Sequence, residues 1–188
     1  EIRRMIRQID VSVRQVLIPL WNSWYFFALY ANAAGATGYS AGWRTDSEHP
    51  MDRYILAKTR ALIEGVERAF DAYDIPGACA EIAGFIDALN NWYIRRSRDR
   101  FWAAEGSADK RDAYDTLYTV LVTLLRVASP LLPLVTEEIH RGLTGEESVH
   151  LCDWPSAEAL PADAALVRAM DRAREVCSAA LALRRTHD

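Results

Sequence analysis

The stretch Asn90–Trp102, NNWYIRRSRDRFW, brings together four arginines, two asparagines and two tryptophans. These are the side chains that hold unpaired RNA: bases stack on indole and guanidinium planes, amides read base edges, and arginines take phosphates. From Trp92 to Arg111 there are six basic and three acidic residues, against a whole-chain formal charge of −4. The local balance therefore opposes the global one, and any nucleic-acid site must be a local patch.

On a helix at about 100° per residue, Ile82, Phe85, Ile86, Leu89 and Tyr93 form one narrow apolar arc. The same arc continues into Arg96, Ser97 and Arg100. Either the helix projects past its bundle and opens this face to a ligand, or Arg96 and Arg100 are buried and paired with acids such as Glu137 or Glu138, because an unpaired buried arginine is not acceptable. Arg95 and Arg98 fall on the far side with Asn91 and Trp102, a solvent-facing set that is either an RNA surface or a solvated face with an incidental tryptophan. Asn22, flanked by Trp21, Trp24 and Tyr25, is either a satisfied core amide or a polar contact on a stacking surface.

Nothing in the sequence has the order of a catalytic constellation. No Gly-rich loop opens a helix after a strand. Glu137 and Glu138 are neighbours on one helix and point about 100° apart, which argues against an acid/base dyad. The cysteines, Cys79, Cys152 and Cys177, form no C-x-x-C pair. Cys152 lies two residues from His150, but a small buried residue beside a loop histidine is the expected reading, and no metal site is assigned. Unpaired cysteines suit a reducing compartment.

The elements that must position these residues are helical nearly throughout. A first helix carries Val13, Val16, Leu17, Leu20, Trp24, Phe27 and Ala31, with Pro19 as a bend. Its apolar run from Val16 to Ala31 follows several arginines, yet Pro19, Asn22 and Ser23 interrupt it and it is short for a membrane span. A Gly- and Ser-containing loop spans 35–50. A second helix starts near Met51 with Ile55, Leu62, Val66, Ala69 and Tyr73 on one stripe. A third runs from about Ala78 to Ala104, and Asp109 is placed to cap the fourth, whose stripe is Tyr114, Leu117, Tyr118, Leu121, Leu124, Leu125 and Ala128. A fifth follows Pro133. Ser148–Trp154 reads as a short extended, β-like segment, and a last helix uses Leu166, Met170, Ala173, Cys177, Ala180 and Leu181. The expected fold class is an all-α helical bundle with short connections.

Several of these segments resemble the anticodon-binding domain of class I isoleucyl-tRNA synthetases. PLWNSWYFFALYAN (19–32) looks like that domain's opening helix and MDRYILAKT (51–59) like its second. NNWYIRRSRDRFW follows, then DKRDAYDTLYTVL (109–121), ASPLLPLVTEEIH (128–140) and SVHLCDWP (148–155), in the family's order and spacing. Valine enzymes share much of the pattern but usually lack the RRSRxRFW run. The segments look most like the eukaryote-type subclass, which also occurs in some bacteria.

The resemblance implies a cytoplasmic parent enzyme that joins isoleucine to its tRNA using ATP and magnesium. Its HIGH and KMSKS signatures are absent from this sequence, so the chain is expected to be a piece of a longer one, without catalytic residues or a cofactor of its own. Residues 1–155 are expected to form the anticodon-binding bundle, and 156–188 a linker and the helix that opens the C-terminal region. The implied partners are the tRNA for isoleucine and the catalytic domain of the same chain. Methionine-specific relatives hold anticodon bases with an Asn on the first helix and a Trp ending the third; Asn22 and Trp102 match those places, although Tyr25 and Phe26 stand where those relatives carry an arginine. The expected RNA-binding set is Asn22, Arg95, Arg96, Arg98, Arg100 and Trp102. Two rivals stand beside it: a helical module that binds a protein or another domain, and the same domain of a valine enzyme.

Overall fold

The computed structural model describes residues 12–104 and 106–187. It is an all-α bundle. After a wide π-helical turn at Val13–Leu17, seven α-helices follow: α1 (Ile18–Ala33), α2 (Pro50–Asp71), α3 (Ile75–Ala88), α4 (Arg95–Phe101), α5 (Ala108–Ala128), α6 (Pro133–Thr144) and α7 (Ala164–His187). No described helix is long and apolar enough to cross a membrane.

The core forms where the amphipathic stripes meet. Leu20 and Phe27 of α1, Ile55, Leu62 and Val66 of α2, Ile82, Phe85 and Ile86 of α3, and Leu117, Leu121 and Leu124 of α5 are all buried. Helix α5 is the most enclosed, with buried residues on nearly every side, as expected of a helix surrounded by others. The loop before α2 is strapped to it. Tyr39 Oη and the Gly42 amide both donate to Asp115 Oδ1, at 2.9 and 3.0 Å, and the Arg44 amide donates to Thr119 Oγ1 at 2.8 Å. Burial and the hydrogen bond to Asp115 push the Tyr39 phenol up to about 12.

Several helix ends differ from the sequence expectation. Pro76 and Gly77 belong to the first turn of α3, because Asp74 accepts from the Gly77 amide at 2.9 Å and starts the helix at Ile75. Proline tolerates that place because its missing N–H would be unpaired there anyway. Tyr73 is not on the α2 stripe; it is 91 % exposed and sits in the turn that ends the helix. Asp109 does not cap α5. Ser107 holds the N-cap position, and Asp109 turns back to Arg100. The segment 148–154 is not a strand: Val149–Leu151 is a short 3₁₀ turn between two extended residues, Ser148 and Cys152.

Helix α7 docks by its first half. Leu166, Val167 and Met170 pack on the core. Asp171 accepts from Tyr54 Oη at 2.8 Å and from Lys58 Nζ at 2.7 Å. Beyond that point the expected stripe faces outward, and Ala173, Cys177, Ala180 and Leu181 are exposed.

Candidate nucleic-acid interface

Helices α3 and α4 form one continuous rod joined by a π-helical turn, Leu89–Ile94. A π turn holds more residues than an α turn, so it rotates everything after it backwards relative to a uniform helix. The consequence is visible in burial. Ile94 and Phe101 turn inward and are buried, while Arg96 swings out to solvent. The expectation that Arg96 shares the inner arc is corrected by this turn. Its guanidinium carbon instead lies 3.8 Å from the centre of the Trp92 ring, a cation–π stack.

Arg100 remains on the inner side, and it is buried. Nη1 donates to Asp52 Oδ1 and Nη2 to Asp52 Oδ2, each at 2.7 Å, while Nε donates to Asp109 Oδ1 at 2.8 Å. Asp52 has no exposed surface, and it also accepts from Tyr93 Oη at 2.9 Å and Ser47 Oγ at 2.7 Å. Burial alone disfavours the Arg100 charge, but the bonds to Asp52 and Asp109 outweigh it and hold the guanidinium protonated. Burial, and then the Asp52 charge, pushes the Tyr93 phenol well above its ordinary value. The inner-arc arginine is thus ion-paired, with Asp52 and Asp109 rather than Glu137 or Glu138. Glu137 is occupied elsewhere, accepting from Ser148 Oγ and the Val149 amide, each at 2.9 Å. With its guanidinium committed to the core, Arg100 leaves the expected RNA-binding set.

Arg95, Arg98 and Trp102 share one side of the rod. They follow at spacings of three and four, which puts them on one stripe; all three are exposed. Among the described residues neither Arg95 nor Arg98 forms an ion pair. Trp102, 55 % exposed, ends α4 as its C-cap residue. Its ring centre is 6.0 Å from Tyr30 of α1. Tyr30 leans on Phe26, which meets Phe101 edge-on at 5.0 Å. The tryptophan is therefore braced from behind and open in front.

Asn22 is exposed and lines a groove of about 610 Å³ between α1 and the α3 rod, with Pro19, Asp87, Asn90 and Asn91. Asn22, Phe26 and Tyr30 are four residues apart and share one face of α1. That face runs alongside the rod in the same direction, with Asn22 opposite Asn91 and Tyr30 opposite Trp102. The core-amide alternative for Asn22 is excluded by its exposure. Asn91 Nδ2 donates to Asp87 Oδ1 at 2.6 Å, and Asp87 Oδ2 accepts from Arg174 of α7 at 2.8 Å.

Tyr30 and the Trp92–Arg96 stack belong to no motif of the sequence. The spacing of Tyr30 from Asn22, two helical steps of four, is the one signal that pointed to it. A second groove of about 590 Å³ between α2, α3 and α7 is lined by Glu81, Asp87, Asp171 and Glu175 against Lys58 and Arg174. That carboxylate-rich lining has the wrong sign for a phosphate backbone.

Residues 52–188 match the family model described as the anticodon-binding domain of tRNA ligase. The chain is 61% identical over 175 residues to an isoleucine–tRNA ligase of Leifsonia xyli subsp. xyli, covering 93% of this chain and 15% of that protein. It is 56% identical over 174 residues to the isoleucine–tRNA ligase of Mycobacterium tuberculosis, covering 93% and 16%. It is 46% identical over 179 residues to that of Tropheryma whipplei, covering 95% and 17%. The chain thus spans about one sixth of the length of these relatives.

Proposed function

The chain belongs to the anticodon-binding domains of tRNA ligases, and from that premise we propose that it docks the anticodon stem-loop of the isoleucine tRNA as part of an isoleucine–tRNA ligase. The observation that carries this reading is the exposed alignment of Arg95, Arg98 and Trp102 beside the groove of Asn22. Arg95 and Arg98 meet phosphates and set the register; phosphate contacts position, and base contacts specify. Trp102 stacks on an unpaired base, with Tyr30 as its backing. The amide of Asn22 offers a donor and an acceptor to a base edge. Arg96, held over Trp92, presents a further cation to RNA. Docking of this kind draws on no cofactor.

The parent enzyme joins isoleucine to tRNA with ATP and magnesium, in the cytoplasm, at a catalytic domain outside this sequence. The order and spacing of the segments support the eukaryote-like subclass, in the form found in bacteria. Segment 156–188 serves as the linker and helix that open the C-terminal region, a role supported by the exposure of Val176, Leu181 and Leu183 on α7.

A contact with the parent's catalytic domain has its own support. Ile18, Trp21, Tyr25 and Leu29 form an exposed apolar stripe on α1, at 48 %, 40 %, 57 % and 47 % exposure. An apolar stripe of that length is suited to burial against another domain.

The test is a titration of this chain with an isoleucine tRNA and a valine tRNA at two salt concentrations. Tighter, salt-dependent binding of the isoleucine tRNA is expected. Equal weak binding of both moves discrimination to other parts of the enzyme. No binding at low salt leaves the domain-interaction role as the better account of this chain.

A further inference from the structure

Outside the RNA-facing side, one cluster of donor atoms is left unused by everything above. His140 lies on α6 with no exposed surface. Gly145, at φ 73°, ends that helix in the left-handed region, which glycine adopts without strain. The turn brings Glu146 back beneath the helix it has just left, where Glu146 Oε2 lies 3.0 Å from His140 Nε2. The chain then passes through the Val149 turn, and Cys152 Sγ arrives 3.7 Å from His140 Nε2 and 3.6 Å from Glu146 Oε2. The loop is held in that path from both ends. The Glu146 amide donates to Thr144 Oγ1 at 3.1 Å, and Glu137 accepts from Ser148 Oγ and the Val149 amide, each at 2.9 Å.

We propose that His140, Glu146 and Cys152 form a binding site for a divalent transition metal, with zinc the best fit. Zinc bonds of about 2.0–2.3 Å to N, O and S at tetrahedral angles place neighbouring donor atoms about 3.3–3.6 Å apart. The three separations found here are 3.0, 3.6 and 3.7 Å, so the atoms already mark one face of such a tetrahedron. A sulfur, an imidazole and a carboxylate are donors that zinc accepts, and the mixed set with a thiolate disfavours calcium and magnesium. One thiolate and one carboxylate neutralise a divalent ion. The thiol proton leaves to solvent as the metal enters. The fourth position is open to water. Arg126 Nη2, 3.7 Å from Glu146 Oε2, competes with the metal for that carboxylate.

Cobalt(II) titration of the 188-residue chain tests the site. The expected result is a thiolate-to-cobalt charge-transfer band with the intense visible bands of tetrahedral cobalt, saturating at one ion per chain and displaced by zinc. Cys152→Ser should abolish the charge-transfer band, and Glu146→Gln, at an exposed position that leaves the fold intact, should weaken cobalt binding tenfold or more. The double variant Cys79→Ser/Cys177→Ser, which removes the two exposed cysteines, should keep the band unchanged. Absence of the band in the unaltered chain overturns the proposal, and so does a band that survives Cys152→Ser or disappears in the double variant.

Discussion

Arg100 and Asp52 are bound to each other by two parallel hydrogen bonds of 2.7 Å, across 48 residues of sequence, with Asp52 wholly buried. The pair ties the end of the α3–α4 rod to the first turn of α2. Tyr93 and Ser47 complete the shell around the carboxylate. The arginines of this rod therefore divide into one buried in an ion pair and others held at the surface, and substitution separates the two roles.

Arg100→Gln leaves Asp52 buried without its partner. Breaking such a pair costs ~3–5 kcal/mol. A chemical denaturation series should show that loss, and the variant chain that remains folded should bind tRNA with the salt dependence of the parent chain. A stability unchanged within error, together with a flatter salt slope, would place Arg100 on the RNA.

Arg98→Ala should do the reverse. Its side chain is exposed and forms no ion pair among the described residues, so stability should move by no more than about 0.5 kcal/mol. Binding should weaken with every tRNA alike, and the slope of log affinity against log salt should fall by about one. Fluorescence anisotropy across a salt series measures both quantities.

Trp102→Ala should cost ~1–3 kcal/mol of RNA binding through lost stacking, while Trp102→Phe retains part of it. Because the ring is 55 % exposed, the alanine variant should melt close to the parent. A collapsed melting transition would show instead that the Tyr30 contact is structural.

Asp171 links α7 to α2. Burial works to raise its pKa, but the bonds from Lys58 and Tyr54 outweigh burial, and the net shift is downward. A carboxyl with a depressed folded pKa contributes stability that is complete above its unfolded value, about 3.9, and is lost as pH falls below it. The stability gap between the parent chain and Asp171→Asn should therefore be constant near neutrality and close in that acid range. A gap that stays constant down to the acid limit would remove the ionised carboxylate from the docking of α7.

The α5 stripe and the apolar arc of α3 were readable from spacing alone, because a straight helix buries what its period aligns. The π turn at 89–94 was not, since nothing in LNNWYI announces the extra residue, and that turn decides which arginines face out. Asp52 could not be named as the partner of Arg100 because their meeting depends on how α2 and α4 pack. Cys152 was paired in sequence with His150, its near neighbour. In space the near neighbour is His140, brought there by the left-handed turn at Gly145, while His150 Nε2 sits 3.2 Å from the Pro133 carbonyl. Tyr73 fitted the α2 period but falls just past the residue where the helix stops.

Asp87 receives Asn91 on one oxygen and Arg174 on the other. It works as a coupling pin between the groove wall and the last helix. A tug on α7 from elsewhere in a longer protein would reach the Asn91 amide through two bonds, loosening or setting the wall opposite Asn22. The groove wall opposite Asn22 and helix α7 thus share a single carboxylate.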